Sequence, residues 1–212
     1  MSLIDRIRAV QRKLGVGDDG QPGPETWGAI HMAVVRRKAP AAIKNADRAT
    51  LAGAGKTADS RSEANIATLH PRVRPYARGL IERAAGQGII IKVTSGLRSY
   101  EEQEELYRKY KAGGPVAAPP GESNHNFGLA FDVTIFKGSD DPEKAKTPVW
   151  ESPAYKAVGA LGTDLGLEWG GNWKRVDEPH FQLRPAWAEG MPEPEMLAEL
   201  RRRKESGKEF YA

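Results

Sequence analysis

The sequence predicts an α+β fold: a small antiparallel sheet flanked by helices, preceded by a short all-helical module. Three observations support this. Short β-branched or alternating runs are interspersed with amphipathic helical runs, but no regular βαβ repeat or internal repeat is present. The 212 residues, 39% of hydrophobic type, suffice for one core of ordinary size. Composition also changes near residue 59, where an Ala-, Gly- and Lys-rich stretch without aromatics ends.

Taken in order, Ile4, Ile7, Val10 and Leu14 mark one face of a short helix, with Gly15 as its C-cap. A turn-rich segment from Asp19 leads to Pro24, which suits the first turn of a second helix carrying Trp27, Ile30 and Val34. These two helices define a module over residues 1–38, and residues 39–58 are a linker. The remainder, 59–212, is one domain. In it Leu69–Gly86 reads as an amphipathic helix with Val73, Tyr76, Leu80, Ile81 and Ala84 inward, and Ile89–Thr94 as a strand. Glu101–Ala112 is a helix behind Ser99, and Leu129–Phe136 is a second strand. Ser152–Leu165 is a helix, Phe181–Leu183 a third strand, and Met196–Lys204 a terminal helix.

Composition excludes several classes of function. With no cysteine there are no disulfides, thiol nucleophiles or Cys-ligated metals. A transition metal must be held by carboxylates and the four histidines, His31, His70, His125 and His180. No run approaches a transmembrane span, and the charged start (Asp5, Arg6, Arg8) does not read as a signal peptide. The net charge of +4 lies entirely in residues 1–60, with ten basic against six acidic residues. An anionic partner for that end is expected, but not nucleic acid, because no basic run is interleaved with aromatics. Nothing suggests an oligomer, so a monomer is expected.

The alternation of residues 129–135 carries the chemistry. Leu129, Phe131, Val133 and Ile135 share the core face, which puts Asp132 on the opposite face beside Ala130 and Thr134. His125 lies seven residues earlier, with Gly128 between them to let the chain turn. Around Asp177–Gln182 the same alternation buries Phe181 and turns His180 and Gln182 the other way. If the two strands pair, His125, Asp132 and His180 converge. Two histidines and one carboxylate are the protein share of a catalytic zinc site, which keeps a fourth position open. Asp177, three residues before His180, is placed as general base for a water activated there, with Glu178 as the rival. His31 and His70 have no carboxylate at useful spacing and read as structural.

Four motifs extend this pattern: Ser95-Gly96-Leu97-Arg98-Ser99 with Gln103; Ser123-x-His125-x-x-Gly128-x-Ala130-x-Asp132; Glu168-Trp169-Gly170-Gly171-Asn172-Trp173; and Asp177-x-Pro179-His180-Phe181. In order and spacing they resemble the zinc D-alanyl-D-alanine carboxypeptidase and L-alanyl-D-glutamate endopeptidase superfamily, most closely its endolysin-like branch. The resemblance spans about residues 59–211. It implies a single Zn²⁺ on His125, Asp132 and His180, with Asp177 as catalytic base. It further implies that Arg98 points into the cleft to bind substrate or stabilise the oxyanion, and that Ser123 hydrogen-bonds substrate. Gln103 and Trp169 are assigned to substrate binding, with a helix N-terminal contact and core packing as their respective alternatives.

Residues 4–35 resemble a peptidoglycan-binding helical domain, without its usual third-helix motif. The expected function is cleavage of the peptidoglycan stem peptide at the L-alanyl-D-glutamate bond. The alternatives are a D-alanyl-D-alanine carboxypeptidase and a non-catalytic wall-binding protein. The expected partner is bacterial peptidoglycan, without membrane association. Synthesis in the cytoplasm, followed by phage-type release to the wall, is the expected route.

Overall fold

A computed structural model describes residues 3–14, 18–21 and 58–212. The chain divides into two units, Met1–Lys44 and Asn45–Ala212, each considered by itself. In the first, helix α1 spans Leu3–Leu14, close to the predicted extent. Its Gln11 is buried, while Ile4 and Val10 are exposed. The Gln11 carboxamide donates to Asp19 Oδ1 (2.8 Å) and the Gln21 carbonyl (3.0 Å), and accepts from the Gly20 amide (2.9 Å), which ties the turn to the helix. The predicted second helix, with Trp27, Ile30, Val34 and also His31, lies outside the described residues, as does the linker up to residue 57.

The described part of the second unit, from residue 58, begins with two helices where the sequence suggests one. Helix α2 covers Ser60–Thr68 and α3 covers Arg74–Ala85. The helix expected from Leu69 therefore starts at Arg74. Pro71 has no amide to donate, and the His70 amide is committed to the Gly128 carbonyl at 3.0 Å, so residues 69–73 form a turn instead. Asp59 caps α2 by accepting from the Ser62 amide.

Strand β1 (Ile90–Ser95) follows, then α4 (Tyr100–Lys111), whose start is secured by a reciprocal capping box between Ser99 and Glu102. Strands β2 (Ala130–Lys137) and β3 (Thr147–Val149), helix α5 (Ala154–Leu165), strands β4 (Glu168–Trp169) and β5 (His180–Gln182), and helix α6 (Glu193–Glu205) complete the unit. Helix α6 begins three residues before the apolar periodicity does, because its first turn is Glu193-Pro194-Glu195.

All strand pairs are antiparallel, in the order β1-β2-β5-β4, with β3 pairing the far end of β2. Helices α2 and α3 lie against β1, and α3 also packs on α5. The core between them holds Ile66, Leu80, Ile91, Val93, Val133 and Val158, all at most 1% exposed. Phe131 and Phe181, paired across β2 and β5, stack at 5.9 Å between ring centroids and are fully buried. Stacking adds about 0.5–1.5 kcal/mol to what their burial contributes. Because side chains alternate along a strand, burying these two rings turns Asp132 and His180 to the opposite face. No helix among the described residues is long and apolar enough to cross a membrane.

Candidate metal centre and active-site cleft

The face of the sheet that carries Asp132 and His180 forms one wall of a cleft of about 1020 Å³. Asp132 and His180 are direct cross-strand partners of β2 and β5, the pairing on which their convergence depends. His125 arrives from a separate element, a 3₁₀ turn at Asn124–Phe127. That turn is capped by Ser123 at its start and by Gly128 at its end, in the left-handed conformation (φ 66°) that glycine adopts without strain. The Arg98 amide donates to the His125 carbonyl at 3.0 Å, fixing the turn to the chain after β1.

His125 Nε2 and His180 Nδ1 each lie 3.3 Å from Asp132 Oδ1, and one ligand atom from each residue falls within 4.8 Å of the others. Both histidines are buried, at 3% and 7% exposure. His125 Nδ1 is 2.8 Å from the Gly96 carbonyl, which can only accept, so the proton sits on Nδ1 and the Nε2 lone pair faces Asp132. Lone pairs converging on one point repel one another unless a cation lies between them. Two imidazoles and one carboxylate are a donor set suited to zinc, with room in the cleft for a fourth ligand. The residues present therefore fit a zinc ion. With no cation bound, burial pushes the Asp132 carboxyl up, but protonated imidazoles facing it outweigh that and hold the group well below the usual carboxylate range. Burial lowers His180, and Asp132 more than reverses this, leaving it raised.

Asp177 lines the same cleft. Its carbonyl accepts from the His180 amide at 3.2 Å, and its amide donates to the Gly170 carbonyl at 3.0 Å. A Cβ on Gly170 would fall 2.4 Å from the Asp177 carbonyl oxygen, so only glycine lets the loop fold this tightly against β5. Asp177 is exposed at the mouth of the cleft, yet the surrounding walls still push its carboxyl above the ordinary value, against the pull of His180. Glu178, the rival base, is not among the cleft residues, and its carbonyl accepts from the Trp169 indole at 2.8 Å.

Arg98 enters the cleft, as the family motif implies. Nη1 donates to Gln103 Oε1 (2.9 Å), and Nη2 donates to Ser95 Oγ (3.2 Å) and lies 3.8 Å from Asp132. The β1–β2 register shifts between Val93 and Ser95, a bulge that presents Ser95 to this guanidinium. Gln103 is 1% exposed and lies behind Arg98 as well as at the cleft wall. Ser123 lines the cleft too.

Trp169, expected at the groove, is elsewhere. Its indole fills the space above Gly159 and Gly171, where an added Cβ would fall 2.3 and 2.2 Å from the ring. Trp173 takes the groove position, 39% exposed with its ring 4.8 Å from His180. His70 acquires a carboxylate that lies far off in sequence, with Nε2 2.8 Å from Glu209.

Sequence reasoning left out a polar group beneath His180. Gln182, Asn124, Glu168, Glu193 and Arg184 line this end of the cleft and bond to one another. Gln182 was detectable, because it shares a strand face with His180. Arg184 follows in the same segment, and Asn124, Glu168 and Glu193 come from three others.

Residues 117–183, which contain all three candidate ligands, match the D-alanyl-D-alanine carboxypeptidase family profile. The chain is 38% identical over 130 residues to the peptidoglycan L-alanyl-D-glutamate endopeptidase of Bacillus subtilis, an alignment covering 55% of this chain and 74% of that protein. It is 32% identical over 128 residues to the L-alanyl-D-glutamate peptidase of Listeria phage A118, covering 58% and 41% respectively. Among solved structures it is similar to the Serratia marcescens L-Ala D-Glu endopeptidase, with 29% identity, a TM-score of 0.45, and 59% and 87% coverage. The chain belongs to the zinc D-alanyl-D-alanine carboxypeptidase and L-alanyl-D-glutamate endopeptidase superfamily and is a zinc metallopeptidase.

Proposed function

We propose that this enzyme hydrolyses the peptidoglycan stem peptide at the bond between L-alanine and D-glutamate. The observation that carries this reading is the convergence of His125, Asp132 and His180 in one cleft with Asp177 and Arg98. The names of the B. subtilis and phage relatives support the choice of bond.

A zinc ion held by the three ligands supplies Lewis-acid chemistry, polarising a carbonyl and making water more acidic. Asp177 takes the proton of the attacking water and delivers it to the departing amine of D-glutamate. Its place in the cleft, with its carbonyl bonded to the His180 amide, suits it to that exchange. Arg98, held by Ser95 and Gln103, stabilises the negative charge that develops on the carbonyl oxygen. Ser123 donates a hydrogen bond to the substrate backbone. The site of action is the cell wall. The basic residues 1–38 retain the enzyme there, and deleting them should weaken its retention on purified wall.

Mass spectrometry of purified peptidoglycan after digestion tests the reading. New amino-terminal D-glutamate is the expected product, and chelation should abolish its appearance until zinc is restored. Release of D-alanine alone would identify a carboxypeptidase, and no release at all would leave a wall-binding protein.

A further inference from the structure

Catalytic zinc needs each histidine ligand in a single tautomer, and the two histidines achieve this differently. For His125 the Gly96 carbonyl suffices. His180 presents Nδ1 toward Asp132, so its proton must stay on Nε2. The atom facing Nε2, at 2.9 Å, is the Gln182 side-chain oxygen. A glutamine amide could equally turn its NH₂ group toward the ring, which would favour the wrong tautomer.

The neighbours of Gln182 forbid that rotation. Its Nε2 donates to Glu168 Oε2 at 2.7 Å and lies 3.4 Å from Glu193 Oε1. Both carboxylates pair with Arg184, to Glu193 at 2.6 Å and to Glu168 at closer range, so they accept and do not donate. Reversing the amide would set its oxygen against two carboxylates. Asn124 reinforces the orientation. Its Nδ2 donates to Gln182 Oε1 at 2.9 Å and to Glu193, filling the second lone pair of the Gln182 oxygen. Gln182 is 2% exposed, so water does not compete for these bonds.

We propose that Gln182, oriented by Glu168 and Glu193, is a positioning residue that fixes His180 with its proton on Nε2 and its Nδ1 lone pair turned to the metal. This rests on the zinc-peptidase reading, but its tests do not require turnover.

In the full-length protein, Gln182→Leu should keep the fold by circular dichroism. It should bind zinc about 10- to 100-fold more weakly in competition with a chromophoric chelator. Unchanged zinc affinity in folded Gln182→Leu would overturn the proposal. Nitrogen-15 NMR of the zinc-loaded wild type separates orientation from packing, and decides if the variant does not fold. A His180 proton on Nε2 supports the proposal, and a proton on Nδ1 ends it.

Discussion

Gln103 clamps Arg98 in one orientation. The Gln103 Nε2 group donates to the Ala118 carbonyl at 2.7 Å, which leaves Oε1 to accept from Arg98 Nη1 at 2.9 Å. Because a backbone carbonyl can only accept, the amide cannot reverse. One buried side chain thus joins the 112–119 segment of the cleft wall to the guanidinium that faces Asp132.

This arrangement predicts a graded pair of variants. Arg98→Ala should lower kcat about 10²- to 10³-fold, the usual loss for one oxyanion donor. Gln103→Leu leaves the guanidinium present but unaimed, and should lower kcat by about 10- to 100-fold. Zinc content should match wild type in both, because neither side chain is a ligand. Metal analysis alongside steady-state kinetics checks this, and loss of zinc from Gln103→Leu would show a structural role instead.

Asp177 and the three ligands should separate in the same assays. Asp177→Asn keeps the shape of the side chain and removes its basicity, so kcat should fall by about 10²- to 10⁴-fold. Bound zinc should remain stoichiometric. Asp132→Asn, by contrast, should lose zinc together with turnover. If Asp177→Asn also loses zinc, Asp177 is a ligand and another group is the base.

The chemistry was legible where it follows a short period. Residues 129–135 alternate cleanly and put Asp132 opposite the core, and the alternation around Phe181 does the same for His180, while the pairing of the two strands stayed a condition. The paired phenylalanines Phe131 and Phe181 fix the register that the convergence requires. Tertiary exchanges of partners left no such trace. The His70 amide bonds to Gly128, and this, together with Pro71, ends the expected helix early. Trp169 and Trp173 flank the same pair of glycines, so composition could not say which indole faces the groove. The Gln182 network draws on four separate segments, and only Gln182 lay on a face already picked out.

Gly162 links the packing of α5 to the metal centre. An added Cβ there would fall 2.4 Å from the Phe181 ring, which is fully buried and stacked on Phe131. Replacing a helical glycine by alanine ordinarily gains about 1 kcal/mol. Here overpacking should outweigh that gain, for a net loss of about 1–2 kcal/mol in urea denaturation. Displacing Phe181 also moves its neighbour His180, so zinc affinity should fall. A more stable Gly162→Ala protein would mean that β5 yields freely.

His70 predicts a pH dependence of stability. Its ring lies 4.8 Å from Tyr211 and 6.0 Å from Phe210, and Nδ1 accepts from the Arg72 amide. Burial lowers its pKa from 6.5, and the attraction of Glu209 only partly offsets this. The folded state therefore binds the proton more weakly than the unfolded chain. Above about 6.5 the imidazole is neutral in both states and its contribution to stability is complete. As pH falls through that value toward the folded pKa, the unfolded chain takes up a proton that the fold resists, and stability is lost. Denaturation midpoints measured from about pH 8 to 5.5 should decline more in wild type than in His70→Gln, whose side chain does not titrate. Parallel declines would show that His70 stays as easily protonated inside the fold as in the unfolded chain.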